Sequence, residues 1–326
     1  MDRLFVTRQG SRVNVKASRF QIQTTVDTLS SLPSKRVEAL YTFGNVQVTT
    51  QATRDLLGRA GVIAGFSRHG RLWGVWQGPG RRGGNLRLKQ SDIQRDSAKR
   101  ITLARAHVRA RVKSLAEVFR NRGAADLGIL RDEFYEEHEQ AQQRIASAAG
   151  FDELRGIEGS ITRRYFELLP QLVSKEGWSV GGRSRRPPRD PLNALLSLGY
   201  SLLYAEFEGL VTAEGLEPTW GHLHVSRNDS TALVFDLVDE FRAKAVDQFV
   251  VTSIQSGIFQ LNQFANHSHQ GVFLKKDAMK TFLSAWDKHV LADDGYVDTN
   301  PHGQRREWFQ AVRQLAARIN SMGEDA

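Results

Sequence analysis

The sequence of 326 residues contains no cysteine and no long uninterrupted run of apolar residues. The absence of cysteine excludes disulfide bonds and thiolate metal ligands, and it is compatible with a reducing cytosol. A transmembrane helix needs about 20 consecutive apolar residues, and the residues after Met1 do not have the pattern of a signal peptide. We therefore expect a globular protein without a membrane partner.

Acidic residues are fewer than basic residues. Lysine and arginine together number 45 against 36 aspartates and glutamates, which gives a formal net charge of +9. Such an excess favours a polyanionic partner, and nucleic acid is the usual one. The hydrophobic content of 40% is ordinary for a folded protein, and the length is sufficient for two domains with real cores.

The periodicity of apolar residues changes part-way along the chain. In the first part, short stretches alternate at the period of β-strands around one helix, and a hairpin is expected across Arg8-Gln9-Gly10. In the second part, helical periods dominate to the C-terminus. The sequence predicts an α+β multidomain protein. It has a β-sandwich or β-roll over residues 1–84, a linker over 85–94 and an all-helical domain over 95–326.

Arginines are concentrated in two segments of the second part. The helix predicted over 95–122 has a strongly basic solvent face, and a loop over 177–191 is rich in glycine, arginine and proline. A charge run such as Arg183, Arg185 and Arg186 is ordinarily only solvated. Together with the basic helix and the net charge, a surface that binds phosphates is the better interpretation.

A histidine and two aspartates fall in an otherwise apolar environment. His224 closes the stretch Gly221-His-Leu-His224, and Asp236 and Asp239 follow on a predicted helix. The aspartates are three positions apart on one helix face, so burying both requires a cation. A divalent metal with His224 as a ligand satisfies this need. A structural network satisfies it equally well, with Asp239 paired to Arg242 and Asp236 paired to a lysine or arginine elsewhere.

Glu158 is a third candidate carboxylate. It lies in the stretch Leu154-Arg-Gly-Ile-Glu158-Gly, where a helix is predicted to begin. From spacing alone, a carboxylate that complements the positive end of the helix dipole is the better interpretation.

Seven stretches of the chain carry a family resemblance. They are Gly44-Asn-Val-Gln-Val-Thr49, Gly61-Val-Ile-Ala-Gly-Phe-Ser67, Leu154-Arg-Gly-Ile-Glu158-Gly, Arg183-Ser-Arg-Arg-Pro-Pro-Arg-Asp190-Pro-Leu-Asn193, Tyr200-Ser-Leu-Leu, Gly221-His-Leu-His224 and Asp236-Leu-Val-Asp239-Glu-Phe-Arg242. In this order they resemble the CRISPR-associated integrases of spacer acquisition, the "Cas one" family. The likeness covers almost the whole chain and is strongest over residues 154–247.

The resemblance implies a β-domain used for homodimerisation and a helical catalytic domain. It implies a divalent-metal site built from Glu158, His224 and Asp239, with Asp236 beside it, and this replaces the helix-end interpretation of Glu158. Many family members have glutamate where this chain has Asp239, and aspartate keeps the carboxylate. Oxygen ligands with one imidazole suit Mg²⁺ or Mn²⁺ better than Zn²⁺.

The implied reaction is a transesterification in which the 3′-hydroxyl of a DNA fragment attacks a phosphodiester of a CRISPR repeat. With water as the nucleophile the same site is an endonuclease. The implied partners are double-stranded and branched DNA and the small "Cas two" protein, in the cytoplasm of a prokaryote. The candidate DNA-binding residues are Arg163, Tyr165, Arg183, Arg185, Arg186, Asn193, Arg242, Lys275 and Lys276.

Three alternatives stay open at this point. The chain could be a non-catalytic DNA-binding scaffold whose carboxylates only pair with arginines. It could also be a related mobile-element integrase of the casposase type. Finally, His224 could act as a metal ligand or as a proton shuttle.

Overall fold

The fold was analysed in a computed structural model that describes residues 2–59, 61–78, 83–120, 128–173, 176–178, 181–185, 187–224, 231–267, 271–291 and 303–322. A β-sheet region comes first and a mostly helical part follows, so the predicted class of fold is confirmed. In the part of the chain that the structure describes, no helix is both long and apolar enough to cross a membrane.

The β-region contains two four-stranded sheets and one helix, α1, over Thr50–Gly58. Its strands are β1 Asp2–Val6, β2 Ser11–Lys16, β3 Arg19–Gln23, β4 Thr28–Pro33, β5 Val37–Phe43, β6 Val46–Val48, β7 Val62–Phe66 and β8 Leu72–Gln77. The first sheet has the order β1-β5-β7-β8, with β8 antiparallel to an otherwise parallel set. The second has the order β4-β3-β2-β6, in which β6 is parallel to β2.

The expected hairpin between the first two strands does not form, because β1 and β2 enter different sheets. Gly10, with a φ of +75°, lies in the turn that carries the chain from one sheet to the other. Strand β4 is not predicted by the sequence, since its composition, Thr-Leu-Ser-Ser-Leu-Pro, has little of the β-branched and aromatic character that marks strands. Strands β7 and β8 pair in antiparallel fashion around Gly70.

Strand β5 is buried on both faces, which explains its nearly continuous apolar sequence. One face of β5 packs with Val13 and Phe20 of the second sheet through Leu40. The other face, which includes Tyr41, belongs to the large core of the helical part. The first sheet is therefore the layer that joins the β-region to the helices.

The helical part contains nine α-helices and one short hairpin among the described residues. The helices are α2 Gly84–Arg95, α3 Ser97–Arg120, α4 Gly128–Ser147, α5 Phe151–Leu168, α6 Pro191–Glu214, α7 Ala232–Arg242, α8 Gln248–Gln255, α9 Lys276–Leu291 and α10 Gln304–Met322. The hairpin pairs β9 Phe264–Asn266 with β10 Val272–Leu274. The linker expected over 85–94 lies within α2, where sparse apolar residues give a weak helical period.

Helix α6 is a buried helix in the middle of this part. Asp190 caps its N-terminus by accepting a hydrogen bond from the backbone N of Asn193 at 2.8 Å, and Pro191 occupies the first turn. Gly215 ends the helix with a φ of +89°. Most of its apolar side chains are fully buried.

Helices α7 and α8 form one continuous segment joined by a π-helical turn, Ala243–Asp247. A π-turn inserts one extra residue into a helix and is frequent near functional sites. The sequence predicts a single helix over residues 232–250, because the apolar pattern does not register this insertion.

A buried ionic network joins the first sheet to the helices. Glu206 on α6 accepts from Arg3 on β1 at 2.9 Å and from Arg305 on α10 at 3.1 Å, and the hydroxyl of Tyr41 on β5 donates to the same carboxylate. Arg3 also pairs with Asp287 on α9 at 2.7 Å. These contacts fix the β-region relative to the helical part.

Candidate metal centre

Asp236 holds the loop that carries His224. Its carboxylate, which is completely buried, accepts hydrogen bonds from the backbone N atoms of His222 (2.5 Å), Leu223 (3.1 Å) and His224 (3.1 Å). It also accepts the Nδ1–H of His224 at 2.6 Å. Because Nδ1 is engaged in this way, Nε2 is the ring nitrogen that His224 offers to a metal or a proton.

The pKa values of this pair are shifted in opposite directions. The hydrogen bond to Asp236 raises the pKa of His224 above its ordinary value, against the effect of burial, and Asp239 and Glu158 add to the rise. Burial raises the pKa of Asp236, but the His224 hydrogen bond and the nearby His107 outweigh it, so the net shift is downward. Asp236 is therefore ionised and His224 is readily protonated.

Glu158 and Asp239 come from two different helices and meet at one arginine. Glu158 lies on α5 and Asp239 on α7, while Arg111 of α3 extends between them. The Nε of Arg111 lies 2.6 Å from Oε1 of Glu158, and its Nη1 forms an ion pair with Oδ2 of Asp239. Thr162 accepts from the same guanidinium and donates to Glu158 at 3.1 Å.

A second arginine completes the surroundings of Asp239. Nη1 of Arg242 lies 2.7 Å from Oδ1 of Asp239, the oxygen that Arg111 does not contact. Burial raises the pKa of Asp239, but Arg111 and Arg242 outweigh it and hold that pKa below its ordinary value. Burial and the neighbouring Arg242 lower the pKa of Arg111.

The structure tests the alternative interpretations of Glu158, Asp239 and Asp236. Glu158 is not at the start of a helix, since α5 begins at Phe151, so it does not act as a helix-end carboxylate. Asp239 does pair with Arg242, as the structural-network alternative requires. Asp236, in contrast, pairs with His224 and backbone N–H groups rather than with a lysine or arginine.

A second cluster of possible ligands lies behind His224. Among the described residues, His107, His222 and Asp236 are the one group of three that places possible ligand atoms within 4.8 Å of one another. Nε2 of His107 lies 2.9 Å from Nδ1 of His222, and Nδ1 of His107 contacts Glu240. Burial and the neighbouring His107 lower the pKa of His222 to about 3.

Hydrogen bonds already use most of this second cluster. The His107–His222 contact requires a proton between the two nitrogens, and both oxygens of Asp236 accept from the loop. The cluster is therefore built as a buried support for the loop that carries His224.

The residues Glu158, His224 and Asp239 fit a hard divalent cation. They supply two carboxylates and one imidazole, a donor set suited to Mg²⁺ or Mn²⁺. The guanidinium of Arg111 occupies the position of a cation between Glu158 Oε1 and Asp239 Oδ2. Its positive charge neutralises both carboxylates. Among the described residues, these three candidate ligands are not a group whose ligand atoms all lie within 4.8 Å of one another.

The profile of the family described as "CRISPR associated protein Cas1" matches residues 4–288 of the chain. This chain belongs to the Cas1 family. The resemblance drawn from the seven stretches is thereby confirmed. A curated relative from Thermus thermophilus, named "CRISPR-associated endonuclease Cas1 1", is 31% identical over 320 residues, which cover 98% of this chain and 95% of the relative.

Solved structures agree with the Cas1 fold. A Cas1 protein from Thermotoga maritima has a TM-score of 0.84 at 23% identity and covers 98% of this chain and 97% of its own. A casposase bound to an integration product has a TM-score of 0.82 at 20% identity and covers 99% and 91%. A chain of a Cas6-RT-Cas1–Cas2 complex has a TM-score of 0.81 at 19% identity, and the match covers 98% of this chain but 35% of that one.

Two of the expected DNA-binding residues of this Cas1 chain are buried. Asn193 donates to the carbonyl of Gly182 at 3.0 Å and to Asp190 at 2.7 Å, and its side-chain oxygen accepts from Arg183. The hydroxyl of Tyr165 donates to Asp247 at 2.8 Å inside the core. Both side chains hold protein segments together and present no surface to DNA, which corrects their assignment as direct contacts.

Two of the expected arginines are partly engaged within the protein. Arg183 donates to Ser197 at 3.2 Å and lies over the ring of Tyr200, 5.2 Å from its centroid. Arg242 pairs with Asp239 and lies 5.6 Å from the same ring centroid. These two arginines therefore border the candidate metal centre rather than a distant surface.

The remaining candidates are exposed where the structure describes them. Their positions are the outer face of α5 for Arg163, the loop before α6 for Arg185, and the start of α9 for Lys275 and Lys276. Lys275 also donates to the carbonyl of Asn262 at 2.7 Å. Arg186 lies outside the described residues.

The basic solvent face predicted for the helix over residues 95–122 includes Arg111, and the sequence patterns indicate no role for His107 or Glu240. Arg111 is only 3% exposed. A signal was available, because His107 and Arg111 share the helical face of the buried Ala104 and Leu115. Polar residues at positions that the apolar period assigns to the core point to a buried polar site.

Proposed function

We propose that this Cas1-family chain is a divalent-metal-dependent DNA endonuclease and integrase, with Mg²⁺ or Mn²⁺ held by Glu158, His224 and Asp239. One observation carries the proposal: a cation, Arg111, lies between Glu158 of α5 and Asp239 of α7, and both carboxylates contribute to the raised pKa of His224. The family and the name of the Thermus thermophilus relative favour the same activity.

In this proposal each residue has a distinct task. When bound, the metal polarises the scissile phosphate and stabilises the leaving oxygen. Glu158 and Asp239 would be its carboxylate ligands, and the hydrogen bond from Nδ1 of His224 to Asp236 leaves Nε2 as the nitrogen that would bind the metal or move a proton. The exposed site edge formed by His224, whose side chain is 42% exposed, admits a DNA backbone.

The proposed reaction exchanges one phosphodiester for another. The 3′-oxygen of a DNA fragment forms a bond to phosphorus, and the bond from phosphorus to the 3′-oxygen of the target strand breaks. The proton of the attacking hydroxyl leaves to a base and a proton reaches the departing oxygen, so no external energy source is required. With water as the attacking group, the same sequence of bond changes is hydrolysis.

The substrate and partners follow from the charge and from the structural relatives. Exposed Arg163, Arg185, Lys275 and Lys276 are proposed to hold backbone phosphates without reading the base sequence. The structures of the casposase bound to an integration product and of the Cas6-RT-Cas1–Cas2 complex support DNA and a Cas2 protein as partners. We further propose a homodimer formed through the β-region, working in the prokaryotic cytoplasm on CRISPR repeats.

One specific observation favours a second candidate function. Arg111 and Arg242 neutralise Glu158 and Asp239, as expected in a non-catalytic DNA-binding scaffold. A casposase-type integrase and a Cas1 integrase would use the same site for the same chemistry. The genes and repeat arrays that neighbour the gene for this chain distinguish the two.

The decisive experiment measures strand transfer and cleavage of branched DNA by the purified chain with Mn²⁺ and with EDTA. Activity should require the metal and should be lost in Asp239→Asn. The matched control is Asp277→Asn, because Asp277 is 92% exposed and lies on α9. Metal-independent binding of DNA without any turnover would establish the scaffold, and activity that persists in EDTA would remove the metal site.

A further inference from the structure

Arg111 contacts one oxygen of each carboxylate that would bind the proposed metal. Its guanidinium lies against Oε1 of Glu158 and Oδ2 of Asp239, whereas Arg242 contacts the other oxygen of Asp239. A metal between the two carboxylates and Arg111 in its present position exclude each other. Arg242 can keep its contact while the metal is bound.

The charges of the site are already balanced. Glu158 and Asp239 contribute two negative charges, and Arg111 and Arg242 contribute two positive ones. All of these side chains are at least four-fifths buried. A divalent cation that enters without an accompanying anion therefore leaves two uncompensated positive charges in a poorly solvated site, which is unfavourable.

A DNA phosphate is the anion that removes this imbalance. A guanidinium binds phosphate with the same forked geometry that it uses for carboxylates. Among the described residues, the hydrogen bonds and ion pairs of the Arg111 guanidinium go to Glu158, Asp239 and Thr162, all within the site. Arg242, in contrast, is also packed on the rings of Phe166 and Tyr200. Arg111 is thus the arginine that can change partner.

Resting on the proposed function, we propose that Arg111 occupies the cation position in the DNA-free protein and moves to a DNA phosphate when the metal binds. Metal and DNA then bind cooperatively, and the site stays closed to free divalent ions until a substrate is present. By linkage, the factor by which DNA tightens metal binding equals the factor by which metal tightens DNA binding.

The test is a titration of the full chain with Mn²⁺, followed by the electron paramagnetic resonance signal of the free ion, without DNA and with a branched DNA that lacks the attacking 3′-hydroxyl. In the wild type, DNA should tighten Mn²⁺ binding by about tenfold or more. Arg111→Met should bind Mn²⁺ more tightly than the wild type without DNA and should show a smaller gain with DNA. The control, Arg54→Met, removes an exposed arginine from α1 in the β-region and should behave as the wild type.

Two further variants keep the outcomes distinct. Asp239→Ala should lose Mn²⁺ binding with and without DNA; if it does not, the proposed metal site fails whatever Arg111 does. If Asp239→Ala loses the ion but Arg111→Met binds it no more tightly than the wild type, the inference about Arg111 is wrong and the metal site stands. If Arg111→Met does not fold, Arg111→Lys takes its place. The wild-type titrations also test the coupling directly, because an equal Mn²⁺ affinity of the wild type with and without DNA would overturn it.

Discussion

Replacing Asp236 tests how the loop of His224 is held. In Asp236→Ala, three backbone N–H groups and one imidazole lose their acceptor inside the protein. A hydrogen bond to a charged group contributes about 1.5–3 kcal/mol, and each buried donor left alone costs about 1–3 kcal/mol, part of which water and loop movement recover. We expect the free energy of unfolding to fall by about 4 kcal/mol in Asp236→Ala and by about 2 kcal/mol in Asp236→Asn, which keeps one acceptor oxygen.

The assay is urea unfolding in chelator, followed by tryptophan fluorescence. The exposed control Asp277→Asn should change the free energy of unfolding by less than about 0.5 kcal/mol. A loss below about 1 kcal/mol in Asp236→Ala would refute the reasoning, because the four hydrogen bonds would then contribute nothing measurable.

The same pair has a pH signature. The pKa of His224 is raised in the folded protein. Its contribution to the free energy of unfolding is therefore present below the pKa of the unfolded state and is lost as the pH rises through the pKa of the folded state. The folded pKa of Asp236 is lowered, so its contribution is lost as the pH falls. The stability gap between the wild type and Asp236→Asn should be largest between roughly pH 4 and pH 6.5. NMR of the His224 ring should show its pKa falling in the variant.

Three further predictions concern other parts of the molecule. Glu206→Ala leaves Arg3 and Arg305 short of a buried partner and should lower the free energy of unfolding by about 3–5 kcal/mol in urea titrations; a loss under about 1 kcal/mol contradicts the network. Burial raises the pKa of Asp247 to about 6, so the fold favours its protonated form and stability should fall as the pH rises from about 4 to about 6. That fall should be absent in Asp247→Asn. Arg185→Glu should weaken DNA binding and flatten its salt dependence in anisotropy titrations, and unchanged affinity at every salt concentration would remove Arg185 from the interface.

The fold class and most helices follow from the sequence, because apolar periods of 2 and 3.6 residues are strong signals. Strand partners do not follow: Gly10 marks a turn, but nothing local tells whether the chain returns to the same sheet or crosses to the other. Strand β4 is missed because its polar residues hide the alternation.

The sequence predicts the carboxylates and the histidine of the candidate site but not its buried arginine. His224, Asp236 and Asp239 stand out as polar residues in an apolar stretch, and the Cas1 resemblance adds Glu158. Arg111 is far away in sequence. It lies in a helix with many other arginines, so the charge of the helix does not distinguish this buried arginine from the exposed ones. The contact between α3 and α7 is a tertiary one, and only the three-dimensional structure shows which arginine is inside.

The geometry of the π-helical turn Ala243–Asp247 depends on the number of residues in that turn. Asp239 lies before the turn and Asp247 within it, and Asp247 accepts hydrogen bonds from Tyr165 and Tyr200. Each residue of an α-helix advances the helix by about 100°. Loss of a single codon from the turn would remove the extra residue and rearrange the side chains of the turn itself, Asp247 among them, whereas most single substitutions there would leave the register intact.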